Sequence, residues 1–129
     1  MNKNELVSLA LSARENSYSP YSGFKVGAAL LTKNGKVYKG CNIENGAFSP
    51  TNCAERTAVF TAVADGEKEF VAIAVVGGAD EIKNFCPPCG VCRQVLSEFC
   101  KEDFEIHLFN GEEIKTFTLG ELLPESFNL

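Results

Sequence analysis

The order of apolar and polar positions divides the chain into a regular series of elements. Over residues 3 to 15, Leu6, Leu9, Ala10 and Ala13 recur at helical spacing, so this segment reads as a helix with one buried face. A loop through Tyr18, Ser19, Pro20, Tyr21, Ser22 and Gly23 follows. Lys25 to Thr32 and Val37 to Cys41 then read as strands joined around Asn34 and Gly35, a strong hairpin signal. From Cys53 the pattern becomes helical again, with Ala54, Ala58 and Ala62, or Val59 and Val63, as its apolar stripe. Phe70 to Val76 is continuously apolar and stops at Gly77 and Gly78, as expected of a central strand buried on both faces. A helix around Cys92 to Phe99 comes next. Strands at Ile106 to Phe109 and Ile114 to Phe117 flank Asn110 and Gly111, and a short helix near Leu119 to Leu122 ends before Pro124.

Helices and strands alternating around one wholly apolar run predict an α/β fold. The expectation is a three-layer α/β/α sandwich with a central mixed sheet of about five strands. At 129 residues the chain reads as one domain, 1–129, large enough to bury roughly two thirds of its unfolded surface. It has neither an apolar stretch of membrane-spanning length nor a signal-peptide pattern, so a cytoplasmic protein without membrane association is expected. In that compartment the six cysteines should be reduced thiols. A net charge of −5 disfavours nucleic acid as a partner, because phosphate binding relies on lysine and arginine, and a small uncharged substrate fits better.

The candidate chemistry lies in four of those residues. Cys53, followed by Ala54 and Glu55, stands ahead of Pro88, Cys89, Gly90, Val91 and Cys92. Three thiolates would bind zinc and leave its fourth tetrahedral position open, which is how catalytic sites differ from closed structural ones. Cys53 and Cys89 each stand at the expected start of a helix, where thiolates are favoured. Glu55 can overhang the open position as acid and base. Three thiolates give the centre a formal charge of minus one, and Arg56 is a candidate to offset it by donating to two sulfurs. A solvated Arg56 is the alternative. Cys86 offers a different outcome, since a fourth thiolate would close the site. Pro87 and Pro88 bias the stretch to an extended path that carries Cys86 away from Cys89. Cys41, Cys86 and Cys100 otherwise read as buried or half-buried small residues, and His107, in an alternating run, as structural.

A His or Cys two residues before Glu, with P-C-x-x-C downstream, is the known signature of zinc nucleobase deaminases. With YSPYSGFKVGAAL (Tyr18 to Leu30), NIENGAF (Asn42 to Phe48), CAER (Cys53 to Arg56), PCGVCRQ (Pro88 to Gln94) and LLPESF (Leu122 to Phe127), the chain resembles the short, homotetrameric cytidine deaminases nearly end to end. The resemblance implies hydrolysis of cytidine and deoxycytidine to uridine and deoxyuridine, with release of ammonia. It implies one Zn2+ per subunit on Cys53, Cys89 and Cys92, and Glu55 as the proton carrier. It also implies a homotetramer with active sites at subunit interfaces. Asn42 and Glu44 are similar to the family's ribose contacts, Phe24 to its aromatic wall against the pyrimidine, and Ala54 N–H to its donor to the base carbonyl. Phe127 resembles the aromatic that enters a neighbour's pocket. By composition alone Phe24 and Phe127 would be core; Asn42 and Glu44, two apart, would turn to the same side if their stretch is locally extended, with a solvated loop as the alternative. Gly46 and Phe48 stand where the family usually carries Ala and Tyr, so sugar or intersubunit contacts there are expected to differ. A deaminase of nucleotides or of a nucleoside antibiotic is the alternative within the class. A zinc-stabilised binding module, such as an RNA-associated adaptor, is the alternative outside it.

Overall fold

The computed structural model describes residues 1–129. Helix α1 (Lys3–Arg14) opens on a capping box in which Asn2 and Glu5 satisfy each other's backbone N–H groups. Its buried stripe is Leu6, Val7, Ala10 and Ala13, whereas Leu9 is only half-buried. The sheet meets the helix on the side of Val7, a choice that helical spacing alone leaves open. Strands β1 (Lys25–Thr32) and β2 (Val37–Cys41) form the expected hairpin. They are followed by α2 (Ala54–Ala64), β3 (Phe70–Gly78), α3 (Gly90–Phe99), β4 (Glu105–Phe109), β5 (Ile114–Thr118) and the short α4 (Leu119–Leu122).

The five strands form one sheet in the order β2-β1-β3-β4-β5. The β3–β4 pair is parallel and the other three pairs antiparallel, so the sheet is mixed as predicted. The period-2 alternation of strand side chains separates two cores. On one face Ala28, Leu30, Ile73, Val75, Ile106 and Leu108 pack with Ala54, Ala58, Val59 and Ala62 of α2, with Leu96 of α3 and with Leu119. On the other, Ala29, Ala72, Ala74 and Val76 receive Leu6, Val7 and Ala10 of α1. The layers are therefore unequal: one helix covers one face and three cover the other. Strand β3 is buried on both faces from Ala72 onward.

One contact sets the height of α2 above the sheet. A Cβ on Gly40 would lie 2.4 Å from Ala54 O and 2.5 Å from Ala58 N, so the first turn of α2 sits directly on the β2 backbone. Gly40→Ala is therefore expected to destabilise the protein by about 2 kcal/mol through overpacking, read as a lower urea midpoint at unchanged slope.

Candidate metal centre

Helices α2 and α3 begin at the same place, and each begins on a cysteine. Cys53 is the N-cap of α2 and Cys89 the N-cap of α3, both with extended backbone and neither with a side-chain capping bond. The polar residues just before Cys53 thus do not cap the helix, because its own cysteine occupies that position with the sulfur turned into the site. Helix α3 starts at Gly90, earlier than its apolar pattern suggests, so Cys92 lies in its first turn and is fully buried. The ligand atoms of Cys53, Cys89 and Cys92 all lie within 4.8 Å of one another, and no fourth residue joins the group.

Their separation suits zinc. Zn–S bonds of about 2.3 Å at tetrahedral angles place two sulfurs about 3.8 Å apart, and Cys53 Sγ lies 3.8 Å from Cys89 Sγ. Arg56 donates through Nη2 to Cys53 Sγ at 3.1 Å and through Nε to Cys92 Sγ at 3.4 Å. The solvated alternative for this arginine does not hold. Hydrogen bonding with Cys92 and the Arg56 guanidinium together pull the Cys53 thiol down to about 5, while the same bond and burial push Cys92 up, so Cys53 is the sulfur that favours thiolate. Arg93 fixes the approach of the second helix, donating to Pro88 O and to Leu122 O at 2.7 Å each.

Glu55 is 4% exposed, and burial pushes its carboxyl up to about 7, where it can both accept and release a proton near neutrality. Cys86 stays outside the sulfur group. Its Sγ would lie 2.8 Å from a Cβ on Gly77, with Phe24 Cε2 at 3.0 Å from the same point. Burial raises the Cys86 thiol to about 11, so it remains protonated beside the thiolates. Cys86 and Phe24 both crowd the bare backbone of Gly77.

The remaining predicted residues divide into two groups. Ile43 bridges to Tyr18 and to Asn52, so the 42–44 stretch is locally extended. Asn42 and Glu44 accordingly turn to the same side, toward the loop that carries Phe24. Asn42 Oδ1 accepts from Ser17 Oγ and from Val26 N–H (2.9 Å), while Nδ2 donates to Phe24 O at 2.8 Å. Glu44 Oε1 accepts from the N–H groups of Tyr21 (2.9 Å) and Ser22 (3.1 Å), and Oε2 from Ser22 Oγ at 2.5 Å. Bonding to Ser22 and Tyr21 holds the Glu44 carboxyl below the usual carboxylate range. Neither residue belongs to a loosely solvated loop. Ala54 is the first residue of α2, so its N–H has no intrahelical acceptor.

Gly46, Phe48 and Phe127 lie further out. The place of a Gly46 Cβ is taken by Tyr21 Oη, 2.7 Å away, so an alanine there would displace the tyrosine tip. Phe48 has φ of 62° and is 76% exposed, its ring held outward by a left-handed backbone that a bulky residue adopts at a cost of about 1 kcal/mol or more. Phe127 is also exposed, and its carbonyl accepts from Gln94 Nε2 at 3.3 Å, which ties the tail to α3. The compositional expectation that Phe24 and Phe127 fill the core is thus wrong, since both are exposed. Ser22 and Tyr21 were missed as site residues, although Ser22 two residues before Phe24 carries the local signal of a serine turn. His107, as expected, is a buried structural residue paired with Thr116 Oγ1 at 2.8 Å.

An α/β sandwich with three sulfurs at two helix N-termini defines a zinc-binding class of protein, and comparison with known proteins specifies which. Residues 1–108 match the cytidine and deoxycytidylate deaminase zinc-binding region. The cytidine deaminase of Halalkalibacterium halodurans is 49% identical over 128 residues, covering 98% of this chain and 95% of that protein. Blasticidin-S deaminase of Bacillus cereus is 36% identical over 77% of the chain and 74% of its own length. The crystal structure of cytidine deaminase from Burkholderia pseudomallei superposes with a TM-score of 0.91 at 48% identity, covering 98% of this chain and all of that one. The Mycobacterium tuberculosis enzyme gives 0.85 at 37% identity, covering 100% and 99%. The chain belongs to the cytidine and deoxycytidylate deaminase family.

Because Arg56 is the donor shared by two sulfurs, Arg56→Ala is expected to weaken zinc binding by about 10–100-fold while leaving the fold intact. Competition with a chromogenic chelator, alongside circular dichroism, checks this.

Proposed function

We propose that this protein deaminates cytidine and deoxycytidine hydrolytically, yielding uridine or deoxyuridine and ammonia. The observation that carries the reading is the convergence of three sulfurs beside a buried carboxyl whose proton affinity sits near neutrality. Zinc held by Cys53, Cys89 and Cys92 supplies activation of the attacking water. Glu55 accepts a proton from that water and delivers it to the ring nitrogen beside the reacting carbon. It then carries the proton that converts the amine into departing ammonia. Burial suits Glu55 to both directions of transfer, because neither its acid nor its base form is strongly preferred at pH 7. The Ala54 N–H is the donor for the base carbonyl, and the Phe24 ring forms one wall of the base site.

Hydrogen-bond counting supports a sugar hydroxyl at Asn42 and Glu44. The Asn42 carboxamide oxygen is saturated, but Nδ2 keeps one N–H beyond its bond to Phe24 O. Glu44 accepts three bonds out of about four and keeps an acceptor position on Oε2. One remaining donor and one remaining acceptor match a hydroxyl, which both gives and takes a hydrogen bond. The exposed rings of Phe48 and Phe127 support a homotetramer in which neighbouring subunits complete each site. No helix is long and apolar enough to cross a membrane. The Cys53, Cys89 and Cys92 group needs reduced sulfurs to hold a metal, which supports placing the enzyme in the cytoplasm.

Glu55→Gln is expected to retain zinc and fold while reducing cytidine turnover by at least about 10²-fold, followed by ultraviolet absorbance. Undiminished turnover would remove Glu55 from the reaction and favour a zinc-stabilised binding module. The anionic Glu44 beside the sugar is also expected to disfavour a 5′-phosphate, so kcat/KM for CMP should fall about tenfold or more below that for cytidine. Equal values would instead assign a nucleotide substrate.

A further inference from the structure

Building on the deaminase reading, we propose that Ser22 is a positioning residue that couples the sugar-binding carboxylate to the aromatic wall of the base site. Its hydroxyl stands between two groups and engages both. It donates to Glu44 Oε2 at 2.5 Å and accepts from the N–H of Phe24 at 3.0 Å. The carbonyl of Phe24 is held from the other side by Asn42 Nδ2 at 2.8 Å. Both backbone polar groups of Phe24 therefore end on the segment that receives the sugar, one directly and one through Ser22.

This arrangement matters because packing alone fixes Phe24 poorly. The residue is 43% exposed, and its ring edge lies over the bare backbone of Gly77, 3.0 Å from where a Cβ there would stand. Its position depends on how its backbone is held. A sugar hydroxyl donating to the remaining position on Glu44 Oε2 would bind the same oxygen that Ser22 occupies, so the sugar and the base wall share one carboxylate. Only a side chain that donates and accepts at once can make this link. Threonine can replace serine and alanine cannot.

Steady-state kinetics on the wild-type, Ser22→Ala and Ser22→Thr proteins, with cytidine and with 2′,3′-dideoxycytidine, test the coupling. For cytidine, Ser22→Ala is expected to raise KM about tenfold with kcat within about twofold, as loss of a hydrogen bond to a charged group predicts. Ser22→Thr is expected to stay near wild type. With the dideoxy substrate, which lacks the ring hydroxyls, the Ser22→Ala effect should shrink to about threefold or less. Equal losses on the two substrates, or an unchanged KM for cytidine, would overturn the coupling. So would collapse of the Ser22→Ala fold, because a loop hydroxyl that only positions Phe24 supports no core. Absence of cytidine turnover by the wild-type protein would overturn the deaminase reading itself. Normal wild-type turnover with either kinetic failure removes only the role of Ser22.

Discussion

The constraint on which this molecule depends is the meeting of two helix N-termini at one point. Helices α2 and α3 each present a cysteine where an oxygen-bearing cap would ordinarily sit, and the third sulfur comes from the first turn of α3. Three thiolates, the form in which the sulfurs would hold zinc, would repel one another at such distances. The N-terminal dipoles and the Arg56 guanidinium offset part of that repulsion, and a bound zinc ion would offset the rest. The sheet makes the meeting possible: α2 rests on the bare backbone at Gly40, and Arg93 ties the start of α3 to the end of α4. Structural features far from the sulfurs in sequence thereby set the distances between them.

A second system adjoins the first and obeys different physics. Around the metal centre, burial raises the proton affinities of Glu55 and Cys86, and bonding to Cys92 and Arg56 lowers that of Cys53. Around Asn42 and Glu44, directional hydrogen bonds determine where a loop lies. Cys86 and Phe24 lie between the two, packed over the absent side chain of Gly77. The bulk of a cysteine suffices there, and its sulfur stays outside the group of three.

Much of this was legible from the chain. The strand limits at 25–32 and 37–41 coincide with the expected ones, because a glycine turn bounded by apolar alternation leaves little choice of register. The three sulfurs and Glu55 stood out because their residue types and spacing carry a chemical meaning that few other arrangements share. The burial of Val7 in preference to Leu9 did not stand out, since both fit a helical stripe. Nor did the partners of Glu44, because Tyr21 and Ser22 lie in a loop without periodicity and meet it only through the bridge at Ile43. Phe24 and Phe127 misled as large apolar residues, for composition favours the interior and cannot tell which aromatic rings are left outside.

What the sequence by itself determined is the kind of chemistry available: soft ligands, a carboxyl close behind one of them and the alternation of elements that supports them. These are properties of residue type and local spacing, and they persist wherever the chain goes. The tertiary structure alone decided that Cys53 meets Cys89 across the α2–β3–α3 stretch, that Glu55 loses its solvent, and that Ser22 stands between Glu44 and Phe24. Desolvation and hydrogen-bond direction are sums over neighbours distant in sequence, so they take definite values only when the sheet and helices have packed.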